Sequence, residues 1–253
     1  MSGVNTSIPG LDELIEGGFV ENDVILITGG PGSGKTTFGI QYLMGGIIEH
    51  NEPGIYVTME ETPVRVIRNM WRFGWDMEQM VRENMLKIIQ LNPIQYKNFT
   101  QQDKHHVAIQ LDPEGHMLEN MMEQLQSTMH EINAKRLFVD SITSLKINPE
   151  ESIVRFRIME LIKNLENLDC TTLASSEIFE YGGKFTVEEY LCEGVIRLHV
   201  FRVGGNRERA IEILKMRGIK HDERLHPYSI TNTGVVVYPS DIVIFDEENI
   251  TNF

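Results

Sequence analysis

The chain has 253 residues, 41% hydrophobic and 24% charged, which is typical of a globular protein that can build one α/β core. Its net charge of −14 disfavours tight binding to nucleic acid or an anionic membrane, because both need a basic surface, although a local basic patch remains compatible. No stretch approaches the roughly 18 apolar residues of a membrane span. The N-terminus has no signal pattern, and two cysteines predict reduced core thiols in a cytoplasmic protein.

The first elements surround a glycine-rich motif. Leu11, Leu14 and Ile15 predict a short helix that ends at Gly17-Gly18, and Val24 to Thr28 predicts a buried strand. The motif that follows fits G-x-x-x-x-G-K-[ST] and is followed by apolar residues at helical spacing. Its candidate nucleotide-binding residues are Gly30, Pro31, Gly32, Ser33, Gly34, Lys35, Thr36 and Thr37.

Such a strand, loop and helix form a site for phosphates. Glycines let the backbone approach the ligand, and the loop amides and the helix N-terminus then face it. Lys35 is predicted to reach the β- and γ-phosphates of ATP, and the Thr36 hydroxyl to coordinate Mg²⁺.

A second strand, Gly54 to Met59, ends at two adjacent acids, Glu60 and Glu61. One carboxylate could orient or deprotonate an attacking water, or both could simply be negative charges at a helix N-terminus. Spacing alone leaves these alternatives even. The helix begins at Pro63, and its predicted buried face contains Val64, Ile67, Met70 and Trp71.

The middle of the chain changes character. Leu86 to Leu91 predicts a third strand, and the polar residues 92–113 predict a surface excursion with the character of a lid. His105-His106 within it lacks further ligands at a metal-binding spacing, which favours a solvated loop. Gly115 to Asn133 predicts an amphipathic helix whose methionines pack in the core.

Asp140 closes the apolar run that begins at Arg136, as the Mg²⁺-linked acid of P-loop enzymes does. The alternative is an aspartate that caps the turn at Ser141. A second long helix follows Pro149, and Thr171 to Ser176 predicts the next core strand.

The last third is predicted to contain hairpins. Residues 177–190 look like a loop, and two antiparallel pairs follow, at 194–201 with 209–215 and at 228–230 with 235–238. The predicted fold class is therefore α/β, with a mainly parallel central sheet flanked by helices and a C-terminal antiparallel hairpin extension. We expect one domain over residues 1–253, with 241–253 as a tail.

Several motifs resemble the KaiC-type ATPases of the RecA superfamily in their single-domain archaeal form. They are the glycine loop together with Ile8-Pro9-Gly10-Leu11-Asp12, Thr58-Met59-Glu60-Glu61-Thr62-Pro63, Phe73-Gly74-Trp75-Asp76, Leu137-Phe138-Val139-Asp140-Ser141, Lys215-Met216-Arg217-Gly218 with His221, and Pro227-Tyr228-Ser229-Ile230-Thr231 before Gly234. These motifs span about residues 8–240, and their order and spacing are specific.

The resemblance implies a RecA-like P-loop NTPase that binds Mg-ATP, hydrolyses it slowly, and forms a homo-oligomeric ring, usually a hexamer, with nucleotide between subunits. Glu60 and Glu61 match the family's catalytic pair. Lys215 and Arg217 match cations that reach the neighbouring subunit's nucleotide. His221, Thr231 and Asn232 match positions that contact base and sugar.

Two departures from the family pattern matter. The clock proteins carry two such domains, whereas this chain has one. Their autophosphorylated domain has adjacent Ser and Thr where this chain has Glu188-Glu189-Tyr190, which argues against autokinase activity.

Three functional hypotheses follow: a slow Mg-ATPase that acts as a ring regulator, a nucleotide-gated scaffold for a protein partner, and a DNA-repair accessory ATPase. The acids of 177–190, opposed by Lys184 alone, disfavour the last.

Overall fold

The computed structural model describes residues 3–92, 107–110, 117–146, 151–178, 185–203, 206–244 and 251–252. The strands are β1 (Val24–Gly29), β2 (Gly54–Thr58), β3 (Leu86–Asn92), β4 (Val107–Gln110), β5 (Arg136–Asp140), β6 (Thr171–Glu177), β7 (Gly194–Val203), β8 (Asn206–Met216), β9 (His226–Thr231), β10 (Gly234–Val237) and β11 (Thr251–Asn252). The α-helices are α1 (Leu11–Leu14), α2 (Lys35–His50), α3 (Pro63–Met70), α4 (Met77–Arg82), α5 (Met117–Ile132), α6 (Glu151–Glu166) and α7 (Val187–Leu191). Two short 3-10 helices span Trp71–Phe73 and Ile142–Lys146.

The described strands form one sheet in the order β10-β9-β8-β7-β1-β6-β5-β2-β3-β4, and β11 pairs with β7. Strands from β7 through β1 to β4 run parallel. Beyond β7, β8, β9 and β10 are antiparallel. The predicted fold class is therefore confirmed.

Helices cover both faces of the sheet, and β1 is buried along its whole length. Ile25 and Ile27 point into the core that α1, α2, α3 and α4 share, whereas Val24 and Leu26 point into the core beneath α5 and α6. A strand covered on both faces reads as a continuous apolar run, as this one does. Met121, Met122 and Met129 of α5 pack in the second core, as predicted.

Helix α2 lies unusually close to the sheet because Gly39 has no side chain. A Cβ at that position would lie 2.2 Å from the Phe138 ring. This close packing fixes the helix whose first residue is Lys35 against β5, the strand that ends at Asp140.

Three sequence predictions need correction. The buried face of α3 contains Pro63, Val66, Ile67 and Met70, whereas Val64 and Trp71 are 65% and 60% exposed. Position 64 lies about 100° around the helix from position 63, so it cannot share that face.

The excursion at 92–113 contains β4, which pairs parallel to β3, because Val107 to Gln110 can extend the edge of the sheet. The pair His105-His106 lies outside the described residues. The segment 177–190, predicted as a loop, contains most of α7, where the backbone N–H of the N-cap residue Thr186 donates to Glu189 Oε2 at 2.7 Å.

Both cysteines, Cys170 and Cys192, are free and buried, as predicted. Burial raises the pKa of each thiol to about 12, so both stay protonated. Across the described part of the chain, no helix combines the length and apolarity needed to cross a membrane.

Candidate nucleotide-binding site

The glycine loop connects the carboxyl end of β1 to the first turn of α2. Gly34 caps the helix with φ of 102°, a left-handed conformation that side chains rarely adopt. A Cβ there would also lie 2.7 Å from Ile230 Cδ1, so β9 closes over the loop. Ser33 Oγ is buried and has no hydrogen-bond partner among the described residues, which leaves a donor for a ligand.

Lys35 lies across the mouth of the loop and is 8% exposed. Its Nζ donates to Gly29 O at 2.9 Å and to Gly30 O at 3.2 Å, and lies 3.9 Å from Glu177 Oε1. Burial lowers the Lys35 pKa, and the nearby carboxylates, Glu177 first, oppose that shift. The ammonium group is therefore held where phosphate oxygens could replace its carbonyl partners.

Thr36 and Asp140 meet although they belong to different elements. Thr36 Oγ1 donates to Asp140 Oδ2 at 2.8 Å, and Ser175 Oγ donates to Asp140 Oδ1. Burial raises the Asp140 pKa, whereas the hydrogen bonds from Ser175 and Thr36 lower it. A hydroxyl and a carboxylate are the hard oxygen donors that Mg²⁺ prefers, so these two residues fit the ion. Groups of three or more His, Cys, Asp or Glu that could hold a metal do not occur among the described residues.

The two adjacent acids differ in their surroundings. Glu60 is exposed, and its Oε1 accepts hydrogen bonds from Ser141 Oγ at 2.6 Å and Ser144 Oγ at 3.3 Å. Glu61, which precedes α3, has its Oε2 3.2 Å from Nε of Arg65 in the first turn of that helix. The Glu60 charge raises the pKa of both Lys35 and Asp140, although burial and other groups act more strongly on each.

Lys215 and Arg217 lie away from their own glycine loop. Strand β7 pairs with β1 from Ile25–Gly194 to Gly29–Leu198, and Lys215 pairs with Val195. Arg217 N donates to Glu193 O, and Glu193 N donates to Val24 O, so Arg217 lies level with the start of β1. About 16 Å of strand therefore separates Arg217 from the end of β1, where the loop begins.

The hairpin of β9 and β10 lies beside α2 of the same chain. Val235 N donates to Gln41 Oε1 at 2.6 Å, and Tyr228 OH donates to Ser33 O at 2.6 Å. Thr231 holds the turn through a hydrogen bond to Gly234 O at 2.9 Å, and Asn232 is exposed at its tip.

His221 lies in the segment between β8 and β9, where the next residue, Asp222, donates its N–H to Leu14 O. Its Nδ1 is buried and makes no hydrogen bond within the described residues.

The structure thus brings Lys35, Thr36, Asp140 and Glu60 together and separates Lys215 and Arg217 from them. Sequence reasoning missed the roles of Ser144, Ser175 and Glu177, because a lone polar residue at a strand end or in a short helix has no distinctive pattern.

This geometry defines a P-loop nucleotide-binding protein, and comparisons with known proteins agree. A family model described as "ATPase: KaiC" matches residues 4–242, and the chain belongs to this family of ATP-binding, RecA-like proteins.

The chain is 35% identical over 245 residues to a UPF0273 protein of Methanocaldococcus jannaschii, covering 96% of this chain and 99% of that one. It is 34% identical over 246 residues to the circadian clock oscillator protein KaiC of Synechococcus elongatus, covering 93% of this chain but 44% of that protein. The solved structure of a KaiC-like protein from Pyrococcus horikoshii superimposes with a TM-score of 0.77 at 34% identity, covering 93% of this chain and 98% of that one.

Proposed function

We propose that this protein is a slow Mg-ATPase that works as a ring, in which each nucleotide lies between two subunits. One subunit supplies the glycine loop, Asp140 and Glu60, and its neighbour supplies Lys215 and Arg217. The family and the glycine loop support ATP binding directly. The sharing of each site between two subunits is what we add.

One observation carries this proposal: the glycine loop and the two cations lie at opposite ends of the strands of one sheet. Arg217 is level with Val24, whereas the glycine loop follows Gly29 at the other end of β1. A cation that stabilises charge on the transferring phosphoryl group must contact it directly. Arg217 lies too far from its own loop to contact a nucleotide there, which supports a role at the site of a second copy.

Within the first subunit, each group has a defined role. Lys35 would exchange its bonds to Gly29 O and Gly30 O for oxygens of the β- and γ-phosphates. Thr36 and Asp140 would hold Mg²⁺, which neutralises phosphate charge when it is bound. The burial of Asp140 keeps its carboxylate oxygens directed at Thr36 and Ser175 rather than at solvent.

Glu60 is the acid that we assign to the attacking water. Hydrogen bonds from Ser141 and Ser144 fix one carboxylate oxygen and leave the other available. The water oxygen forms a bond to the γ-phosphorus as the bond to the bridging oxygen of ADP breaks, and Glu60 accepts a water proton. Glu61, beside Arg65, then supports the position of the strand end.

Mixed rings test the shared site. Glu60→Gln subunits lack the acid assigned to the water but bind ATP and keep both cations, and Arg217→Ala subunits have the reverse defect. Each variant alone should turn over ATP at least about 100-fold more slowly than the parent. In an equal mixture, about a quarter of interfaces combine an intact Glu60 with an intact arginine, so activity should return toward a quarter of the parent value.

Loss of activity in both variants with no recovery in the mixture, although mass measurements show mixed rings, would reject the shared site. An Arg217→Ala protein with full activity would reject the role of that cation. Lys87→Ala, which removes a half-buried lysine paired with the exposed Glu131 on the far side of the sheet order from β8, is the control and should keep parent activity.

A further inference from the structure

Two buried carboxylates on α7 are not explained by the proposed chemistry. Glu188 and Glu189 are 2% and 3% exposed. By the family resemblance, they stand where the autophosphorylated domain of the clock proteins has Ser and Thr. The sequence predicts a loop at these positions. Buried carboxylates are rare unless they are paired, and both of these are.

Glu188 connects α7 to the segment that follows Asp140. Its Oε1 accepts hydrogen bonds from Lys146 Nζ and, at 2.9 Å, from Ser176 Oγ. Lys146 ends the 3-10 helix Ile142–Lys146, which also contains Ser144, a donor to Glu60. A change in the position of Glu60 would therefore act on this 3-10 helix through Ser144 and on Glu188 through Lys146.

The other end of α7 holds the two cations. Lys215 Nζ donates to Glu189 O at 2.8 Å and to Tyr190 O at 3.3 Å. Arg217 donates from Nη2 to Tyr190 O at 3.4 Å and from Nη1 to Glu193 Oε1 at 3.0 Å. A short helix thus lies between the phosphate side of one site and the cations directed to the next.

The Glu189 side chain connects α7 to Arg197 of β7 and to Thr186 at the start of the helix, so α7 is held as one rigid unit. Its Oε1 accepts a hydrogen bond from Arg197 Nη2 at 2.6 Å, and its Oε2 accepts one from Thr186 N at 2.7 Å. Breaking a buried ion pair from one side leaves an uncompensated charge, so the helix stays where Lys146 and Arg197 place it.

We propose that Glu188 is a positioning residue: through Lys146 it couples the occupancy of one subunit's own ATP site to the placement of Lys215 and Arg217 in the neighbouring site. This inference rests on the proposed shared site and adds a direction to it, since each site would prepare the next around the ring. ATP turnover should then depend on ATP concentration with a Hill coefficient above 1.

Glu188→Gln tests the coupling, because it keeps the shape of the side chain but removes its charge. We expect about a tenfold lower kcat, a KM within about twofold of the parent, and a Hill coefficient near 1. Glu131→Gln, which neutralises an acid in the exposed Lys87–Glu131 pair, is the matched control and should change none of these.

A mixture of Glu188→Gln with Glu60→Gln, which binds ATP but lacks the acid assigned to the water, shows where Glu188 acts. If it positions cations for the neighbour, Glu188→Gln loops that receive cations from ATP-occupied Glu60→Gln subunits regain turnover, and the mixture exceeds either variant alone. If Glu188 acts only within its own subunit's ATP site, the mixture falls to about half of the Glu188→Gln activity, and the inference is overturned.

Two further comparisons keep the outcomes distinct. When Arg217→Ala complements Glu60→Gln but Glu188→Gln does not, the shared site stands and the coupling fails. If Glu188→Gln does not fold, the double variant Lys146→Gln/Glu188→Gln replaces it, because neither residue of the pair then carries an unpaired charge. A parent-like kcat and Hill coefficient in the double variant would overturn the proposal, and a lower kcat with a Hill coefficient near 1 would support it.

Discussion

Thr36 Oγ1 lies 2.8 Å from Asp140 Oδ2, although 104 positions separate the two residues in sequence. The first stands at the start of α2 and the second at the end of β5, two strands away from β1. The parallel sheet brings the carboxyl ends of its strands to one edge, which is where ligands bind in open α/β sheets. This contact is the basis for the assignment of the Mg²⁺ site.

Thr36→Ala should separate metal use from ATP binding. The variant keeps Lys35 and the loop amides, so the dissociation constant for ATP without Mg²⁺ should change less than about threefold. The Mg²⁺ concentration for half-maximal turnover should rise about tenfold or more, because one oxygen donor is lost. Turnover titrated with Mg²⁺ measures this, and EDTA should abolish the parent activity. Full activity of the parent in EDTA would remove the metal from the account.

Glu60→Gln and Glu61→Gln should differ. Loss of the acid that takes the water proton typically costs 10²- to 10⁴-fold, so Glu60→Gln should lower kcat about 100-fold or more without weakening ATP binding. Glu61→Gln should cost about tenfold or less, because Arg65 and the strand end keep the backbone in place. Single-turnover phosphate release measures both. The reverse order of effects would move the role from Glu60 to Glu61.

Gly34→Ala should disrupt the loop for two separable reasons. A methyl group at φ of 102° is strained, and it would lie 2.7 Å from Ile230 Cδ1. We expect a loss of about 1–3 kcal/mol in the free energy of unfolding and weaker ATP binding.

Two further variants divide that cost. Gly74→Ala, at φ of 82° with no atom within 4 Å, measures the backbone strain alone. Adding Ile230→Val to Gly34→Ala removes Cδ1 and should recover the steric part. Chemical denaturation measures all four proteins, and a Gly34→Ala cost no larger than that of Gly74→Ala would exclude the close contact.

Asp23 should make the protein less stable above pH 6. Burial, with Glu193 and Glu166 nearby, raises the Asp23 pKa to about 6. Because the folded pKa lies above the unfolded value of 3.8, folding favours the protonated acid, and stability is lost as pH rises from about 4 to 6.

Asp23→Asn should therefore stabilise the protein at pH 8 by about 1 kcal/mol, a value reduced for solvent screening of a half-buried group, and should have little effect at pH 4. Glu21→Gln, at an exposed site, controls for the general loss of one negative charge. Denaturation at the two pH values measures the difference. Equal effects of Asp23→Asn at both pH values would contradict the pKa shift.

The sequence predicted what depends on local pattern. The glycine motif, the continuous apolar strand before it and the helical spacing after it all follow from short-range rules, and the fold class follows from their order. The exposed Val64 and Trp71 show the limit of such rules, because the start of α3 sets its buried face only once the helix packs on the sheet.

The buried pairs of α7 lie beyond sequence reasoning for a different reason. Glu188 meets Lys146 at a separation of 42 residues and Arg197 meets Glu189 at 8, and only the folded sheet makes these contacts. In sequence, the adjacent acids Glu188 and Glu189 look solvated, and only the fold shows that both are buried. The same holds for Lys215 and Arg217, whose distance from their own glycine loop follows from strand register alone.

Specific activity measured as a function of protein concentration tests the shared site most directly. If Arg217 of one copy completes the pocket formed by Lys35 and Asp140 of another, ATP turnover per chain must fall on dilution together with the fraction of chains in the ring, measured in parallel by mass photometry. Turnover per chain that stays constant after the protein has become monomeric would contradict the account.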